Sequence, residues 1–215
     1  MGNYAGWQTT AKVSGTAASM TAEACTGATT TWQITDTAKR VLDPSVTPTW
    51  YDNAVAISSG DISSVNYLTG TVVFTGSKTG PITVDADYYP MLSWASARMV
   101  EYTEEADELD TSVFGSQQKS SIQGMKAISG NGEILERLDY DLDSGGDTQD
   151  WQSRYNDGVS VVLEITPGSG TARFWAKLFT IGTQSATADL VTYSFGFASD
   201  VPTAADGTRV VPVNF

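Results

Sequence analysis

The chain has 215 residues, 25 acidic and 12 basic side chains, a formal net charge of −13, one cysteine and no histidine. This balance excludes histidine acid–base catalysis and internal disulfides, and it opposes tight binding to phosphate backbones, which is driven mainly by Lys and Arg. No apolar run approaches the roughly 18–20 residues of a membrane span, and the first seven residues have no signal-peptide pattern, so a soluble protein made in the cytoplasm is expected.

Residues 1–30 consist mainly of Ala, Thr, Ser and Gly, with Tyr4, Trp7 and Met20 as the large apolar side chains. That composition cannot build a core of its own and predicts an arm or edge segment. Residues 31–215 read as a single β-sandwich domain. Trp32 and Ile34 alternate with Gln33 and Thr35, and prolines 44 and 48 then break the chain into extended pieces. A tight turn is expected at residues 51–54. Residues 71–75 and 82–89 form a predicted strand pair around a loop at 76–80, with Ile82, Val84, Ala86 and Tyr88 on one face.

Residues 91–102 fit a helical stripe (Leu92, Ala95, Met99, Tyr102) and a strand (Trp94, Val100, Tyr102) equally well. Residues 103–132 are polar, acidic at first, with few apolar anchors. They are expected to form a long polar loop, functional or mobile, unless they make a long hairpin. A short helix is predicted at residues 147–156, with Asp147 or Thr148 as N-cap and Asn156, Asp157 and Gly158 as the stop. The C-terminal third predicts a three-strand meander through Val159–Ile165, residues 172–181 and residues 191–197. The expected fold class is therefore mainly β: an antiparallel β-sandwich or barrel with one short flanking α-helix and extended arms or loops.

Several constellations have a chemical reading. Residues 139–150 place Asp139, Asp141, Asp143, Asp147 and Asp150 at spacings that partly match a calcium loop. Ser144 stands where the loop needs glycine, and the final ligand is Asp rather than Glu, so solvated acids and helix capping explain them better. The run Glu101, Glu104, Glu105, Asp107, Glu108 and Asp110 could offer a carboxylate pair for glycoside hydrolysis, but acids strung this densely normally form a solvated face. Trp50, Tyr51, Tyr88, Tyr89 and Trp94 could form a sugar-stacking platform, against the commoner fate of core or interface packing. Cys25 has no neighbouring base, and Lys119-Ser120 lacks any catalytic setting. No catalytic, cofactor-binding or metal-ligating residue is assigned, and no enzyme is expected.

Three stretches carry a family resemblance: Trp32-Gln33-Ile34-Thr35-Asp36-Thr37-Ala38-Lys39-Arg40-Val41-Leu42-Asp43-Pro44, Tyr67-Leu68-Thr69-Gly70-Thr71-Val72-Val73-Phe74, and the strands Arg173-Phe174-Trp175-Ala176 and Asp189-Leu190-Val191-Thr192-Tyr193-Ser194-Phe195. In texture and order, over roughly residues 30–200, the chain resembles the major tail proteins of bacteriophages with long non-contractile tails. The resemblance implies a tail-tube β-sandwich, rings of about six copies stacked into a hollow tube, and location in the virion. It also implies partnership with tape-measure and tail terminator proteins, with DNA only as passing cargo. On that analogy residues 1–30 and 103–132 make the contacts between rings, and an acidic bore repels the passing polyanion. The alternative is a carbohydrate- or surface-binding β-sandwich module.

Overall fold

The computed structural model describes residues 9–93, 97–110, 121–137, 156–167, 171–187, 190–210 and 213–214. Its elements in chain order are β1 (Thr9–Ser14), β2 (Ala18–Ala28), β3 (Thr31–Ile34), β4 (Thr49–Asp52), β5 (Val55–Ala56), β6 (Ile62–Asn66), β7 (Thr71–Phe74), β8 (Ile82–Tyr88), β9 (Met91–Ser93), β10 (Ala97–Asp110), β11 (Ser121–Arg137), β12 (Val161–Pro167), β13 (Ala172–Thr187), β14 (Leu190–Ser199) and β15 (Val213–Asn214). Short 3-10 turns lie at Thr37–Lys39 and Ser59–Asp61. The strands form two antiparallel sheets. One has eight strands, in the order β10-β11-β14-β13-β12-β1-β9 with β15 beside β13, and the other has seven, in the order β5-β4-β8-β2-β3-β7-β6.

Period-two alternation decides which side chains each strand buries. In β8, Ile82, Val84 and Ala86 are buried while Thr83, Asp85 and Asp87 are not. Trp50 of β4, the partner of Val84, and Val72 and Phe74 of β7 join these buried β8 residues with Ile34, Leu42 and Leu68 in a core that also contains Val162 and Trp175 of the eight-stranded sheet. Trp50 meets Phe74 edge-on at 6.4 Å and 84°. The opposite face of the eight-stranded sheet has a second core, in which Phe174, Phe195 and Phe197 pack with Leu163, Ile165 and Ile128. Each fully buried side chain of this kind contributes about 1.5–3 kcal/mol.

The structure bears out the mainly antiparallel β class and corrects several local readings. Residues 9–28 are not an arm. β1 lies between β12 and β9, and β2 lies between β8 and β3. Small side chains suffice there because the bulk of the core comes from neighbouring strands, with Met20 and Cys25 the inward-facing anchors of β2. The 91–102 ambiguity resolves as strand wherever the chain is described, in β9 and in β10 from Ala97. The polar segment 103–132 is not a loop over its described residues but the two arms of an antiparallel hairpin. Of the predicted helix, Asn156 and Asp157 are helical, and Gly158 (φ 61°) follows in the left-handed conformation that ends helices. Residues 147–155 lie outside the described residues.

Candidate assembly surface

β10 and β11 pair from Ala97↔Ile134 to Asp110↔Ser121, with register shifts at Ala97/Met99 and Ala106/Glu108. The far side of β11 pairs with β14 only from Ser129↔Ala198 to Arg137↔Leu190. Where β14 ends, the Ser199 hydroxyl accepts from the Ile128 N–H at 3.1 Å. Beyond that point, among the described residues, residues 105–110 and 121–127 pair with each other and with no third strand. This two-stranded ribbon extends for roughly 24 Å at about 3.4 Å per residue. Its sequence has no strand signature because backbone pairing is indifferent to polar side chains. Tyr102 and Val100 of β10 pack toward the second core, whereas Glu101, Thr103 and Glu105 are exposed.

The base of the hairpin is built around two glycines. Gly130 lies opposite Phe197 and Gly132 opposite Phe195, and a Cβ at either position would collide with the facing ring. Phe195 stacks on Phe197 at 6.1 Å, and Phe197 meets Phe174 at 5.8 Å. This aromatic row covers the bare glycine backbone and anchors β11 to the sheet.

The two sheets are also joined by an ionic cluster centred on a buried carboxylate. Glu164 is 5% exposed in the midst of Val162, Leu163 and Ile165. It accepts from Lys12 Nζ at 2.8 Å and from Arg173 Nε at 2.9 Å, with Arg173 Nη2 as a further donor. Arg173 Nη1 continues to the Leu68 carbonyl of the seven-stranded sheet at 2.6 Å. Burial alone raises the Glu164 carboxyl, but the Lys12 and Arg173 hydrogen bonds and charges outweigh it and hold the group below its ordinary range. Sequence reasoning passed over this residue; the signal was a lone acid inside an otherwise apolar strand.

Among the described residues, the sites read from the sequence do not come together as a reaction centre. Trp50 is fully buried in the core, Tyr88 and Tyr89 pack against it, and the Tyr51 hydroxyl donates to Asp85 at 3.0 Å. These aromatics form no exposed platform, and Trp94 lies outside the described residues. Cys25 is buried, and burial followed by the Glu23 charge pushes its thiol up to about 12, which suits a packed side chain rather than a nucleophile. The acids from Glu101 to Asp110 lie along one strand, β10. Residues 139–150 and Lys119-Ser120 lie outside the described residues, and among the described ones no group of three His, Cys, Asp or Glu could hold a metal ion.

No protein-family model and no curated protein matches the chain. Among solved structures, the fold is similar to a chain in the tail of an empty gene transfer agent particle reconstructed with C6 symmetry. That match has 15% identity and a TM-score of 0.44, covering 59% of this chain and 86% of that one. It is also similar to a chain in the virion of a native gene transfer agent particle, at 16% identity and a TM-score of 0.43, covering 56% of this chain and 87% of that one.

Proposed function

We propose that this chain is a structural subunit of a phage-like tail, assembling with copies of itself into stacked rings of about six that form a tube for DNA. The carrying observation is the β10–β11 hairpin, whose distal half has no third strand among the described residues. A lone two-stranded ribbon is marginal in water, and a neighbouring copy laid against it supplies the missing packing. The charge of −13 per subunit makes the assembled wall anionic, so a duplex passes without the counterion release that would hold it. The sequence resemblance to major tail proteins adds the virion location, and it adds tape-measure and terminator proteins as the partners that set tube length. Full burial of Trp50 takes the largest described member out of the aromatic platform that the sugar-binding alternative needs.

Negative-stain images of the concentrated protein, with light scattering alongside, test this reading. Rings or tubes are expected. A variant in which residues 104–127 are replaced by a short Gly-Ser turn should retain its β-sheet circular dichroism and fail to stack. Wild-type protein that stays monomeric at all concentrations and salts overturns the proposal.

A further inference from the structure

Glu164 holds the arginine that ties one sheet to the other. The register sets Lys12, Glu164 and Arg173 side by side across β1, β12 and β13. Glu164 points toward the seven-stranded sheet, as Val162 does two residues earlier. Arg173 therefore bridges a carboxylate in one sheet and the carbonyl of fully buried Leu68, between β6 and β7 of the other. The charged groups facing Glu164 are Lys12 from β1 and Arg173 from β13. The β6–β7 turn presents the Leu68 carbonyl, and the phenol of adjacent Tyr67 is pushed up by burial and by the Asp206 charge. With no histidine in the chain, a response to acid falls to carboxyl groups. The other buried acid among the described residues, Asp43, accepts from Ser45 N–H in its own turn at 2.8 Å, so no cross-sheet bond depends on its charge.

We propose that Lys12, Glu164 and Arg173 form an acid-operated latch, in which protonation of Glu164 releases Arg173 from Leu68 and unlocks the two sheets from each other. The neutral carboxyl leaves Lys12 and Arg173 as adjacent like charges. Their side chains, 39% and 19% exposed, have a route to water. Both turn outward, and the Leu68 carbonyl loses its donor in a dry site, which makes the opening a step rather than a gradual fraying. Because the folded-state carboxyl is held below its ordinary value, the latch is fully engaged above the unfolded Glu range near ~4.3. It is lost as pH falls through the lower folded value.

The test titrates the full chain from neutral pH to strong acid, following near-UV circular dichroism and the emission of buried Trp50 and Trp175, with far-UV circular dichroism for the strands. Wild type should lose the near-UV signal in one step below about pH 4 while keeping its strand signal. The charge-free variant K12M/E164L/R173M should hold the signal to a pH at least about one unit lower. E164Q should show the acid-type near-UV spectrum already at neutral pH; if E164Q does not fold, the triple variant decides. The proposal is overturned if the triple variant loses its signal at the wild-type pH, or if E164Q keeps the neutral spectrum with the wild-type midpoint.

Discussion

Replacing Gly132 by alanine examines how the β10–β11 hairpin is fixed to the body of the protein. The added methyl group would strike the ring of Phe195, which lies directly opposite and cannot withdraw because it stacks on Phe197, itself packed on Phe174. Forcing an extra carbon into a packed core costs about 1–3 kcal/mol, while alanine in a strand recovers about 0.5–1 kcal/mol of the glycine's entropy. The net expectation is a loss of about 1–2 kcal/mol, or about 2–8 °C in melting temperature for a chain of this size. Urea and thermal unfolding of G132A, F195L and the double variant close a double-mutant cycle. In the pair the smaller Leu side chain should give back most of what the methyl group takes, a favourable coupling of about 1 kcal/mol. If G132A is as stable as wild type, or the two changes simply add, the glycine is not there to seat the ring and this account of the hairpin base is wrong.

The β4–β5 turn places both Asn53 (φ 51°) and Ala54 (φ 63°) in the left-handed region, where alanine pays a steric cost that glycine does not. Ala54→Gly should therefore raise stability by about 0.5–1 kcal/mol, whereas the same change at Ala56, on the adjoining strand, should lower it; comparative urea melts give the signs. Cys25 in the folded protein should resist alkylation near neutral pH, because its thiol is pushed up to about 12, and should react only when denaturant exposes it. Labelling of the native state at the rate of a free thiol would contradict the buried placement. Among the described residues the Trp50 indole N–H is buried without a hydrogen-bond partner. Trp50→Phe should thus cost less than about 1.5 kcal/mol and Trp50→Ala about 3–5 kcal/mol in chemical denaturation.

What the residues alone determined is the β class and the location of its strongest strands. β8 and β14 were legible because large apolar side chains alternate with polar or small ones, and β12 and β13 because apolar and aromatic runs stand between turn residues, patterns set by the chain itself. The inert reading of Cys25 also followed from its neighbours. Pairing decided the rest. β1 and β2 looked too poor in bulk to fold because their cover comes from β12, β8 and β3, which lie far away in sequence. The β10–β11 pairing of the polar stretch stood only as the alternative to a loop, because its backbone pairs regardless of side-chain polarity. Lys12, Glu164 and Arg173 meet only once three strands are in register, up to 161 positions apart in numbering, so no local spacing announces the cluster. Local alternation reports what one strand buries, whereas register and sheet order, fixed by the whole chain at once, determine which charges and rings are brought together.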